Sequence, residues 1–249
     1  MNLIKANPDF RKVPPNHKEY LDISEFFYDT IQGEGINIGQ PASFLRVQYC
    51  TQSCVFCDSK SIWQFGNPYT YDELFELMEE VDLIRKFKEG QHLVLTGGSP
   101  LKQQKSLFKF LYKFIAKYGF KPYIEIENEC ALFPSKDILS YIDCWNNSPK
   151  LALSGNSKYI RYKPNIIGFL ATLKNSWFKF VISRKEDWKE IERDFLPLVD
   201  KSKIILMPLG SSREELIENR ELVLKIAIEK NVRYSPREQI NIWDKAIGV

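Results

Sequence analysis

The sequence predicts an α/β fold built as an incomplete (β/α)6 barrel, and three observations carry that prediction. Strand-like apolar runs alternate with helix-like stretches from residue 43 onward, the pattern of a parallel sheet. About six such strands can be counted, too few for a closed eight-stranded barrel. Turns containing Gly or Pro follow three of them, at residues 96–100, 148–150 and 208–210. That strand edge is where parallel α/β folds assemble their sites.

A single domain over residues 1–249 is expected, with residues 1–22 forming a polar, Pro-containing arm. Gly33, Gly35, Gly39 and Pro41 then mark turns, beside the polar Gln32 and Glu34. A strand follows over Ser43–Tyr49, with Arg46 as its one charge between Leu45 and Val47. An Arg in that setting needs an anionic partner, and Asp58, Glu34 and a substrate carboxylate all qualify. Leu74, Leu77, Met78, Val81 and Ile84 recur at helical spacing, so one amphipathic helix is expected over 71–89. The strand His92–Thr96 leads through Gly97 and Gly98 into a helix over Leu101–Tyr118.

Pro122–Glu127 alternates as a strand, and Ile138–Trp145 reads as a short helix entering the next one. Residues 155–176 show no clear period and are left unassigned. Trp177–Ile182 is a strand, Trp188–Phe195 a helix and Lys203–Pro208 the last apolar strand. Ser211 with Glu214 three residues on forms the pattern of a capping box, opening a helix to about Lys230. The tail 232–249 carries Ile240, Ile242, Trp243 and Ile247, so it is expected to dock on the body of the protein.

The chemistry concentrates in Cys50-Thr-Gln-Ser-Cys54-Val-Phe-Cys57. Three thiols within eight residues form a soft ligand set suited to an iron–sulfur cluster, zinc or copper(I). Closed zinc sites and ordinary [4Fe–4S] clusters use four ligands, and the other cysteines, Cys130 and Cys144, lie far along the chain. Three thiolates on a four-iron cluster leave one iron open. The spacing therefore resembles the radical S-adenosylmethionine (SAM) enzymes, in which the open iron chelates the amino and carboxylate groups of SAM's methionine part.

The resemblance sharpens around the triplet. Phe27-Tyr-Asp-Thr-Ile-Gln-Gly-Glu-Gly35, then Gly39-x-Pro-x-x-Phe-x-Arg46, then Cys57-Asp58-Ser59 are similar to the 7-carboxy-7-deazaguanine synthase family. That family makes deazapurines on the way to queuosine. The resemblance implies a radical SAM type of barrel, a lyase reaction on 6-carboxy-5,6,7,8-tetrahydropterin, and three cofactors: a [4Fe–4S] cluster on Cys50, Cys54 and Cys57, SAM, and Mg²⁺ on Ser59. Ile31, Gln32, Gly33, Arg46, Thr96 and the carboxylate of Val249 would then bind substrate. Gly98, Ser148, Pro149, Lys150, Met207, Pro208, Leu209 and Gly210 would bind SAM.

The chain departs from the family at three places. Ser99 stands where the family's Thr-Gly-Gly-Glu-Pro has Glu, Glu127-Asn-Glu-Cys130 replaces Glu-Thr-Asn-Gly, and Gln239 lies near a frequent His. The resemblance further implies a pterin substrate, an electron donor such as flavodoxin, and a homodimer. A glycyl-radical activase sharing the same triplet, and a non-catalytic zinc module, are the competing readings.

Composition limits the remainder. The net charge of +3 comes from interleaved acids and bases with no basic stripe, so no nucleic-acid partner is expected. No apolar run is long enough to span a bilayer, and clustered thiols without a signal-like segment point to the reducing cytoplasm.

Overall fold

The computed structural model describes residues 1–7, 9, 11–12, 19–246 and 248. Among these, ten strands make one sheet: β1 (Asn2–Ile4), β2 (Tyr20–Ile31), β3 (Pro41–Val47), β4 (Asn67–Thr70), β5 (His92–Gly97), β6 (Tyr123–Asn128), β7 (Cys144–Asn147), β8 (Ser176–Ile182), β9 (Ile204–Pro208) and β10 (Arg233–Tyr234). The order is β1-β2-β3-β5-β6-β7-β8-β9-β10, with β4 paired to β2. From β3 to β10 every neighbour is parallel, whereas β2 runs antiparallel to β1, β3 and β4. The sheet is open, ending on β1 and β10, and its central six parallel strands are the six expected of an incomplete barrel.

The longest strand is the one the sequence hides. β2 alternates poorly because it is buried along most of its length, so polar Ser24, Glu25 and Thr30 lie inside. It also bulges where Asp29 takes φ 56° between register pairs Phe27–Phe44 and Thr30–Ala42. The expected N-terminal arm of residues 1–22 is corrected accordingly. Asn2–Ile4 pair with β2, and Tyr20–Asp22 already belong to it.

Other boundaries shift for local reasons. The single helix expected over 71–89 is two helices, Tyr71–Glu80 and Leu83–Lys88, broken where Asp82 is left-handed. Thr70 opens the first with a capping box to Glu73. The cap after β9 is Ser212, not Ser211; Ser212 accepts from the Glu215 amide, while Ser211 donates its own N–H and hydroxyl to the Glu215 carboxylate. The unassigned stretch 155–176 contains helices Lys158–Arg161 and Pro164–Thr172, the second opened by a Pro at its first position.

The apolar core lies between one face of the sheet and the helices. On β3, Leu45 and Val47 point into it; on β6, Ile124 and Ile126; on β8, Phe178, Phe180 and Ile182. Alternation along each strand then sends Phe44 and Arg46, Glu127, and Lys179 and Val181 to the opposite face, where they line a cavity. The helix Gln104–Tyr118 closes the core with an aromatic stack in which Phe110 meets Phe75 at 5.3 Å and Tyr71 at 5.8 Å. Phe110 is fully buried. Phe110→Ala is expected to lower stability by about 3–5 kcal/mol, read as a reduced urea midpoint; an unchanged midpoint would show that the neighbouring rings collapse into the space.

Candidate active site

The loop after β3 starts the site. Two glycines at the end of β5 make it possible, for a reason different from the ligand access that a Thr-Gly-Gly turn suggests. A Cβ on Gly98 would lie 2.4 Å from the Tyr49 carbonyl oxygen and 2.6 Å from the Cys50 Cβ. The turn is flush against the thiol loop, and the Ser99 amide donates to that same Tyr49 carbonyl. Atoms of Tyr49 and Cys50 occupy the space the missing side chain leaves.

Cys50, Cys54 and Cys57 all line a cavity of about 280 Å³ and none is in a disulfide. Each sulfur accepts an N–H: the Gln52 amide to Cys50 at 3.4 Å, the Asn156 side-chain amide to Cys54 at 3.3 Å, and the Trp63 indole to Cys57 at 3.4 Å. Burial pushes the Cys50 thiol up to about 11 and raises Cys54 as well. No group of His, Cys, Asp or Glu among the described residues converges as a single-ion site. Three thiols lining one cavity without converging on a single ion, each with an N–H at its sulfur, fit a cluster better than a tetrahedral zinc.

Also lining the cavity, β2 and β3 present Phe27 stacked on Phe44, centroids 4.9 Å apart and the ring planes nearly parallel. Arg46 stands two residues beyond Phe44 on the same face and beside Thr96 in register. Its partner is neither Asp58 nor Glu34. The Arg46 Nε donates to Glu25 at 2.9 Å, and Glu25 is 2 % exposed. One edge of the guanidinium is thereby fixed, and its terminal nitrogens have no partner among the described residues.

The floor is an ion chain. Lys179, 1 % exposed, bridges Glu127 at 2.7 Å and Glu34 at 3.1 Å. Arg237 continues it from Glu34, at 2.9 Å, to Asp58, and also donates to the Gly210 carbonyl. Burial would raise the Glu34 carboxyl, but Lys179, Arg237 and the Gln239 amide hold it well below the carboxylate range. Glu127 goes the other way, raised by burial and by Glu34. Gln239 reaches Glu34 at 2.7 Å, and the space beside Gly33 is filled by the Gln239 side chain and amide. The segment 232–246 is thus held mainly by polar contacts, including the Gly35 amide on Ser235 at 2.8 Å. Of its expected apolar anchors, Ile240 is buried and Ile242 is 44 % exposed, while Ile247 lies outside the described residues.

Most of the residues singled out in the sequence meet here. Ile31, Gln32, Gly33, Arg46, Thr96, Ser59, Gly98, Ser148, Lys150, Met207 and Leu209 line the cavity. Pro149, Pro208 and Gly210 do not line it, and Val249 lies outside the described residues. The Ser59 hydroxyl sits 3.8 Å from the Cys57 sulfur. Sequence reasoning missed Glu25, Lys179, Arg237, Trp63 and Asn156, since a lone charge, amide or aromatic carries no local spacing signal.

Comparison with known proteins agrees with this geometry. Residues 31–144 match the family described as a 4Fe-4S single cluster domain. The chain is 30 % identical over 224 residues to the 7-carboxy-7-deazaguanine synthase of Pyrobaculum aerophilum, covering 89 % of this chain and 94 % of that one. It is 28 % identical over 249 residues to the synthase of Halobacterium salinarum, covering 91 % of each. A crystal structure of QueE from Escherichia coli superposes with a TM-score of 0.64 at 21 % identity, over 88 % of this chain and 94 % of that one, a likeness of fold.

The ion chain has a pH signature. Glu34, Asp58 and the fully buried Glu125, which meets His92 at 2.6 Å, are all held below the ordinary carboxylate values, their charged or hydrogen-bonded partners outweighing burial. Their stabilisation is complete above the unfolded carboxylate range and is lost as pH falls below it; the raised Glu127 acts in the opposite sense but is one group against three. The urea midpoint is therefore expected to fall steadily from about pH 5 to about pH 3. A flat profile would show that these carboxyls do not titrate with folding.

Proposed function

This chain belongs to the 7-carboxy-7-deazaguanine synthase family, and on that footing we propose that its cavity carries the family's reaction. The reaction converts 6-carboxy-5,6,7,8-tetrahydropterin to 7-carboxy-7-deazaguanine with loss of ammonia, a radical SAM lyase step in queuosine (7-deazapurine) biosynthesis. The observation that carries the reading is that one cavity is lined by three N–H-bonded thiols, an aromatic pair and a half-free Arg. A glycyl-radical activase must admit a protein segment, whereas this cavity is small and closed on one side by the docked segment around Arg237 and Gln239.

Cys50, Cys54 and Cys57 would hold a [4Fe–4S] cluster, which together with SAM supplies, on one-electron reduction, a radical able to abstract hydrogen. The chain's own residues bind and orient. Arg46, braced by Glu25, offers its free guanidinium nitrogens to the substrate carboxylate as a paired, charge-assisted contact. Phe27 and Phe44 give the flat heterocycle an apolar face, and Gln32, Gly33 and Thr96 supply polar groups at its rim. Lys150, whose Nζ is held by the Ser148 carbonyl and hydroxyl at 2.7 and 2.9 Å, would meet the SAM carboxylate with its remaining N–H. Ser59 offers a hard oxygen for Mg²⁺ at the mouth of the thiol loop. A low-potential one-electron donor such as flavodoxin is the partner this chemistry requires.

Anaerobic incubation of the reconstituted protein with SAM, dithionite and the carboxylated tetrahydropterin tests the reading. Formation of 7-carboxy-7-deazaguanine with one ammonia is expected, and SAM cleavage with no new heterocycle would overturn the assigned substrate. Arg46→Gln should lower kcat/KM by about 30-fold or more, mostly through KM, with cluster content unchanged. A KM equal to wild type would remove Arg46 from the substrate contacts.

Trp63→Phe deletes the indole N–H at the Cys57 sulfur while keeping the ring. Because hydrogen bonds to ligating sulfur favour the reduced cluster, the midpoint potential should drop by some tens of millivolts. An unmoved potential would show that the contact is structural only.

A further inference from the structure

Glu129 follows β6 and is 5 % exposed, yet it belongs to none of the ion pairs described above. One carboxylate oxygen, Oε1, accepts two hydroxyls: Thr51, from between the first two cysteines, at 2.7 Å, and Ser99, from the end of β5. The other oxygen, Oε2, is buried and has no hydrogen-bond partner among the described residues. No Lys or Arg nitrogen within ion-pair distance of it is found there either. The residue lines the cavity together with Cys50 and Lys150.

A carboxylate in such a place, with one oxygen saturated and one empty, is costly unless a donor arrives. Its backbone is held with care. Cys130 takes φ 63°, rare for a residue with a Cβ, and its amide donates to the Asn128 side chain, itself tied to Asn147. The empty oxygen is therefore placed, not wandering. Lining the cavity with the thiols stand one carboxylate, Glu129, tied to Thr51 of the thiol loop, and one ammonium, Lys150, the complement of an α-amino acid's amino and carboxylate groups. Ser99 stands where the family's motif has Glu, and its hydroxyl donates to Glu129.

We propose that Glu129 Oε2 is the acceptor for the amino group of SAM's methionine part, with Ser99 and Thr51 as positioning residues that fix the carboxylate through its other oxygen. The proposal rests on the radical SAM reading above and names the residue that serves this subsite in this chain. Glu129→Gln keeps size and turns a competing N–H toward the amine.

The test is equilibrium SAM binding to the anaerobically reconstituted protein, with iron content measured alongside. Glu129→Gln should weaken SAM binding by about 10-fold to 100-fold, the range for a hydrogen bond to a charged group, at wild-type iron content. The exchange S99E/E129N, which returns a carboxylate to the neighbouring position, should recover affinity to within about threefold of wild type, since coupled neighbours compensate. Glu129→Gln binding SAM as wild type overturns the proposal. Should that variant not assemble a cluster, the exchange variant decides, and its loss of more than about tenfold in affinity overturns the proposal just as well. Wild-type protein that neither binds nor cleaves SAM would instead sink the radical SAM reading itself, which separates the two failures.

Discussion

Lys179 is the contact on which the arrangement of the site depends. Its ammonium is nearly inaccessible to water and lies between Glu127 of β6 and Glu34 of the turn after β2. An unpaired charge at that depth would be far too costly to keep. Both carboxylates must therefore be where they are, and so must the elements that carry them. Arg237 extends the constraint, because it shares Glu34 with Lys179 and reaches Asp58 directly after the last cysteine. Five charges thus tie two sheet strands, the Gly33 turn, the thiol loop and the segment after β10 into one assembly. Such a chain is weak evidence of added stability, since an apolar substitute of equal volume can do as well. What it fixes is register and position.

The same inversion runs through the whole sheet. Helix-facing positions are aliphatic and aromatic, while the opposite face carries Arg46, Thr96, Glu125, Glu127, Asn146 and Lys179. Nearly all of that polarity is partnered: Arg46 by Glu25, Glu125 by His92 and by Asn146 at 2.7 Å, Glu127 by Lys179 and by Gln32 at 3.3 Å. A saturated polar face is rigid, because moving any side chain leaves another buried group without its bond. The exceptions are informative for the same reason. The terminal nitrogens of Arg46 and the Oε2 of Glu129 have no partners among the described residues, and both residues line the cavity. A site for a ligand bearing a carboxylate and a cofactor bearing an amine requires free groups of this kind against a fixed background.

How much of this was legible in the sequence depends on range. The six parallel strands, the cysteine loop and the strand-end turns at 96–100 and 148–150 could be read because each is a local pattern: an apolar run, a fixed ligand spacing, a Gly or Pro at a turn. The sequence by itself also determined the chemistry, since three thiols spaced within eight residues admit few soft-ligand sites and the flanking motifs narrow them to one family. Tertiary structure decided the rest. β2 escaped notice because a strand buried along most of its length loses the alternation that marks strands, and its Glu25 acquires meaning only from Arg46, 21 positions on. Lys179, Arg237 and Glu129 look like solvated charges in the chain, because what makes a charge functional is burial and a partner 52, 179 or 30 residues away. Neither is a property of sequence neighbours, and so only the folded chain assigns them.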